Sequence, residues 1–103
     1  MSKADKKRVR IAFRIAVFYR DGYRCLVCGT PGTDETLDPH HVTDRNQIPH
    51  GGYVAENGIT LCKRCHEKAE AGAQGFEKET LYRLIDSSLE RAMVASERLG
   101  QDG

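Results

Sequence analysis

The sequence predicts a small α+β fold stapled by zinc, a short-stranded core held between two helical flanks. Three observations predict it. Two CxxC pairs, Cys25/Cys28 in CLVC and Cys62/Cys65 in CKRC, stand 33 residues apart. Apolar residues recur at helical spacing near both ends, and short apolar runs punctuated by Gly and Pro fill the middle. With 103 residues, one domain over 1–103 is expected, and a core of that size gains from an added staple.

The first element, residues 5–20, sets Val9, Ala12, Phe13 and Ala16, together with Ile11, Ile15 and Phe18, at helical spacings. It reads as a basic helix with a wide buried stripe. RDG ends it, where Gly22 suits a helix terminus. YRCLVCG reads as a short strand entering a first metal knuckle, and TPGTDET as a loop. LDPHHV, residues 37–42, is the next strand, with Pro39 at or near its start because proline cannot donate to a central ladder. TDRNQIPHGGYVAENG is a long loop pivoting on Gly51 and Gly52. ITLC is a second strand running into the second knuckle, and KRCHEKAEAGA starts a helix, so the core covers residues 23–70.

Residues 77–99 form a C-terminal helical segment, one helix or two. Ser87 and Glu90 match a capping box, which predicts a break near Asp86. Leu81, Leu84, Ile85, Leu89, Ala92, Met93 and Leu99 make an apolar stripe. The stripe is expected to pack on its own domain, against the N-terminal helix, which gives a monomer; a homodimer through the C-terminal helix is the competing reading.

The N-terminal MSKADKKRVR lacks an apolar run followed by a cleavage site. No stretch approaches the roughly 20 apolar residues of a membrane span. The expectation is a cytoplasmic protein with no membrane partner, and in a reducing compartment paired CxxC motifs hold metal rather than disulfides. Two intervening residues let both thiolates of a tight turn face one ion, and two such knuckles complete a tetrahedral Cys₄ site for a structural Zn²⁺. A redox-active CxxC would need only one pair. The insertion between the pairs exceeds the roughly 15 to 20 residues of a bare zinc ribbon, so it has a purpose of its own.

Charge is uneven although the net charge is only +1. Residues 1–24 carry eight Lys or Arg against Asp5 and Asp21, a balance of +6, while residues 66–103 carry five basic and eight acidic residues, a balance of −3. The basic arm, with Lys6, Lys7, Arg8 and Arg10, is a candidate footprint for a phosphate backbone; a solvated helix face is the plain alternative. Arg45 in the long loop is a further candidate contact, and His50 is read as loop or DNA contact. Tyr53 either packs on the loop or stacks on a base, and Asp38 and Glu56 are read as solvated or structural.

The remaining histidines fall in an ordered pattern: His40 and His41 adjacent, Asn57 sixteen residues on, and His66 nine residues later, directly after Cys65. Strand neighbours point to opposite faces, so His40 and His41 are expected to do different jobs. In the order YRDGYRCLVCG, LDPHHV, GGYVAENGITLCKRCHEKAE, residues 19–70 resemble the HNH endonuclease family in its Cys₄ zinc-containing form, built on a ββα-metal motif in a treble-clef-like fold. The resemblance implies that His41 is the general base, that His40 and His66 ligate a catalytic divalent ion, and that Asn57 fixes His41 through its far nitrogen or the intervening backbone. It implies phosphodiester hydrolysis of DNA leaving 5′-phosphate and 3′-hydroxyl ends.

A neutral imidazole suits proton removal near neutral pH, and a divalent ion suits the charge on phosphorus and the leaving oxygen. Two imidazole ligands favour Mn²⁺, Co²⁺ or Ni²⁺ at least as much as Mg²⁺. One base and one such ion per chain predict nicking, one strand per encounter. Two other classes compete: a zinc module that grips nucleic acid without a reaction, and an adaptor whose zinc only supports helices.

Overall fold

The computed structural model describes residues 3–101. Helix α1 (Lys3–Arg20) leads through the first cysteine turn into strand β1 (Leu37–His41). Three short turns follow, Arg45–Gln47, Pro49–Gly52 and Ala55–Asn57, and then strand β2 (Gly58–Cys62) runs directly into helix α2 (Lys63–Glu70). Helices α3 (Lys78–Leu84) and α4 (Leu89–Gln101) complete the chain. The fold is α+β, with one two-stranded antiparallel sheet. No described helix is long and apolar enough to cross a membrane.

The register pairs Leu37 with Cys62, Pro39 with Thr60 and His41 with Gly58 on one face, and Asp38 with Leu61 and His40 with Ile59 on the other. Pro39 stands at mid-strand rather than at the start. Its position is harmless, because hydrogen bonding alternates along an antiparallel pair. Val42 N–H donates to the Asn57 carbonyl at 2.9 Å, which makes positions 42, 40 and 38 the bonded ones and turns the Pro39 nitrogen away from β2. Thr60, opposite it, turns its own N–H and carbonyl outward to Asp21 Oδ2 at 2.9 Å and Leu26 N at 3.1 Å.

Strand β2 is buried on both faces. Gly58 and Thr60 face α1, where a Cβ on Gly58 would come within 2.5 Å of Val17 and 2.7 Å of Phe13. Only glycine admits the helix that close. Ile59 and Leu61 face the other way, into a core with Val42, Ile48, Leu81, Tyr82 and Ala92. Full burial of side chains such as Ile59, Leu61 or Phe18 stabilises the fold by about 1.5–3 kcal/mol each. The end of α1 is riveted to the sheet by Arg20, which pairs with Asp21 at 2.7 Å and donates to the carbonyls of Ala55 and Gly58.

Four local expectations change. The buried stripe of α1 is narrow, made of Phe13, Val17 and Phe18, whereas Ile11, Ile15 and Tyr19 are exposed, because one small sheet covers only one side of the helix. YRCLVCG is a knuckle with one isolated bridge, Arg24 to Pro31, and no strand. The C-terminal segment breaks around Asp86, which has φ +52, but the cap is Ser88, whose hydroxyl accepts from Arg91 N–H at 3.2 Å. Ser87 instead donates to the Glu56 carbonyl at 2.8 Å. Finally, α4 packs on the turns at Pro49–Gly52 and Ala55–Asn57, while Leu84 and Leu89 of the apolar stripe stay exposed.

Candidate metal centre and cleft

The two knuckles converge. All four sulfurs of Cys25, Cys28, Cys62 and Cys65 lie within 4.8 Å of one another, and Cys28 and Cys62 Sγ are 3.7 Å apart. A tetrahedron of sulfurs at the usual zinc distance has edges of about 3.8 Å. Each turn also directs a main-chain N–H at its leading sulfur, Cys28 N to Cys25 Sγ and Cys65 N to Cys62 Sγ, both at 3.5 Å. Gly29, at φ +82, takes the left-handed corner that closes the first knuckle. Hydrogen bonding with Thr30 draws the Cys28 thiol down to about 6, while burial pushes Cys65 up. The cluster could hold a structural zinc.

On the opposite side of α2 a second group assembles. His40, His66 and Glu70 offer ligand atoms within 4.8 Å of one another, with His66 Nε2 3.0 Å from Glu70 Oε1. The strand delivers His40 and the helix delivers the other two, one turn apart on one face. The other nitrogen of His66, Nδ1, lies 3.0 Å from Asp38 Oδ2, and Lys63 holds the second oxygen of Asp38 at 2.7 Å. Burial pushes the Asp38 carboxyl up, but the hydrogen bonds from Lys63 and His66 outweigh it and hold it below the ordinary value. An imidazole facing a carboxylate at each nitrogen either carries two protons or donates Nδ1–H to one and shares a cation with the other through Nε2. That second arrangement is the usual dress of a metal-ligating histidine, so the donor set fits a divalent ion.

His41 leaves β1 on the opposite face from His40. Its ring stacks on Phe13 with centroids 4.7 Å apart and meets Tyr53 edge-on at 4.7 Å. Its Nε2 is buried with no hydrogen-bond partner among the described residues. Burial, then the Arg45 charge, pulls its pKa to about 4; His40 falls to about 4 as well, by burial and then the His66 charge. Both imidazoles therefore stay neutral well below pH 6. His40, His41, Arg45, His66 and Glu70 all line one open cleft of about 690 Å³.

Among the described residues the Asn57 side chain makes no hydrogen bond to an imidazole. It is fully buried; Oδ1 accepts from Thr43 N–H at 3.0 Å and Tyr82 OH at 2.7 Å, and Nδ2 donates to the carbonyls of Thr43 and Gly52. It thus fastens the chain just beyond His41 to the loop. Of the basic candidates, Arg45 donates to Tyr53 OH at 3.0 Å, Arg10 lies over the Tyr53 ring and Arg8 pairs with Asp5 on the exposed side of α1. Sequence reasoning missed Glu70, Asp38 and Tyr82. The i, i+4 spacing from His66 could have signalled Glu70, and the strand period could have put Asp38 on the His40 face; nothing marks Tyr82.

Residues 25–72 match the HNH endonuclease family model. No curated protein and no solved structure matches the chain. Both clusters fall inside the matched segment, so the part of the chain that carries them is similar to the HNH endonuclease family.

Proposed function

We propose that the protein is a metal-dependent DNA endonuclease that nicks one strand per encounter. The observation that carries this reading is the convergence of His40, His66 and Glu70 at one point of a cleft that His41 also lines. In this reading His40 Nε2 or Nδ1, His66 Nε2 and a Glu70 oxygen hold the ion, and Asp38 keeps the His66 proton on Nδ1 so that Nε2 presents its lone pair. A bound divalent ion would supply Lewis-acid stabilisation of the charge developing on the phosphate and the leaving oxygen. His41, neutral and with Nε2 unpartnered, accepts the proton of the attacking water once the Tyr53 ring moves aside. Asn57 acts indirectly, by fixing the backbone at Thr43 and hence the end of β1. Two imidazoles and one carboxylate favour Mn²⁺, Co²⁺ or Ni²⁺ at least as much as Mg²⁺.

The packing of His41 between two rings favours a second reading, a zinc module that binds nucleic acid without cutting it. Supercoiled plasmid incubated with a panel of divalent ions separates the two. The nuclease reading expects open circles to accumulate before linear product, with loss of cutting in Glu70→Ala and His66→Ala at unchanged zinc content. Plasmid left intact under every ion would establish the binding module.

A further inference from the structure

The basic residues of α1 are not equivalent. With 3.6 residues per turn, Lys6 and Arg10 point about 20° and 60° from the direction of Phe13, whereas Lys7 and Arg8 point about 120° and 140° away. Phe13 faces the sheet and His41, so Lys6 and Arg10 lie on the His41 side of the helix. With Val9, His50 and Tyr53 they line a hollow of about 220 Å³.

Tyr53, which lines this hollow, touches two residues that line the cleft, His41 and Arg45. The Arg10 guanidinium sits 5.8 Å from its ring centroid, its hydroxyl accepts from Arg45, and its ring abuts His41. Arg45 lines the cleft itself. Three other cations pair with carboxylates of the chain: Arg8 with Asp5, Arg20 with Asp21, Lys63 with Asp38. Among the described residues Lys6, Arg10 and Arg45 enter no ion pair, although they lie side by side. Three like charges that form no ion pair with the described residues around them, set around an aromatic ring and a hydroxyl, suit an external polyanion.

We infer that Lys6, Arg10 and Arg45, organised by Tyr53, form a binding site for the sugar-phosphate backbone of a nucleic-acid strand running from α1 into the cleft. The site rests on the proposed function for its ligand and adds a path and a direction to it: α1, outside residues 25–72, carries the flanking phosphates, and Arg45 carries the one nearest His41. Lys7 and Arg8 take no part.

The test compares two double variants that remove the same charge, Lys6→Ala/Arg10→Ala and Lys7→Ala/Arg8→Ala. Binding of a fluorescent DNA duplex is followed by anisotropy across a salt series without added divalent ion, with zinc content and melting temperature as fold controls. Each lost phosphate contact lowers the slope of log K against log salt by about 0.9, so the first variant should lose about 1.8 of the slope and bind several-fold more weakly. The second should keep both. Arg45→Ala should lose about 0.9, and Tyr53→Phe, which keeps the ring beneath Arg10 but frees Arg45, should lose no more than that. Equal losses in the two double variants, while the wild type still cuts plasmid, would overturn the site and leave the nuclease intact. A wild type that neither binds nor cuts would overturn the nuclease reading and the site with it.

Discussion

Truncation of Asn57 to Ala tests how the cleft is braced. The side chain fills all four of its hydrogen-bonding positions inside the protein. Its removal strands three main-chain groups: the N–H and carbonyl of Thr43, a residue only 3% exposed, and the carbonyl of buried Gly52. Tyr82 keeps a partner, the Thr43 hydroxyl at 2.6 Å. A stranded buried group costs about 1–3 kcal/mol, which sets a range of about 3–9 kcal/mol for three. The vacated space has polar groups on several sides and room for water, which brings the cost to the lower end, about 3–4 kcal/mol. Against a total stability of about 5–15 kcal/mol the variant should fold with a thin margin. A domain of this size loses about 4–8 °C per kcal/mol, so melting should drop by about 12–30 °C. Circular dichroism melts and urea titrations with zinc in excess measure it. Asn57→Asp is the comparator: it retains Oδ1 but sets a second oxygen against two carbonyls, so it should fare no better than Ala. A loss below about 1 kcal/mol, or full stability with a shifted pH profile of cutting, would refute the bracing role and return Asn57 to His41.

Four shorter predictions follow from the same geometry. Tyr82→Phe removes one hydroxyl from this network while keeping its shape, and should cost about 1–2 kcal/mol in the same urea titration; an unchanged midpoint would separate α3 from the site. Cys62→Ser, or a strong chelator, should unfold the protein, because zinc affinity in so small a core is folding free energy, and far-ultraviolet dichroism would show it. His41→Phe should preserve the ring stack on Phe13 and Tyr53 and cut plasmid at least about 10²-fold more slowly, the loss expected for a general base; wild-type rates would remove His41 from the reaction. Acid should destabilise the wild type through its buried imidazoles: with His40 and His41 held near 4 in the folded protein and near 6.5 when unfolded, the unfolded chain binds more protons between those values, so stability falls as pH drops from about 6.5 to 4. His41→Phe should lose less over that window, and a parallel loss in both proteins would contradict the assignment.

What the sequence determined by itself is local chemistry at fixed spacing. The two CxxC knuckles announce a site that could hold a shared ion because only two residues separate the thiolates of each turn, and the four sulfurs do converge in space. The strand ahead of His41, the strand ahead of Cys62 and the helix after it are legible because each is short, regular and closed by its own punctuation. The break near Asp86 was legible too, although its cap moved by one residue, since Ser87 and Ser88 offer the same hydroxyl and only the nearby Glu56 carbonyl distinguishes them. What tertiary structure alone decided is everything that depends on which face meets which. The register of two five-residue strands sends His41 to α1 and His40 to α2. The small sheet covers only part of α1 and leaves Ile15 exposed. Tyr82, carried by a helix that periodicity describes only as amphipathic, reaches 25 residues back along the chain to complete the hydrogen bonding of Asn57. Spacing along a chain fixes which neighbours a residue has within a turn or a knuckle, whereas partners across the core are set by packing, which no short window of sequence contains.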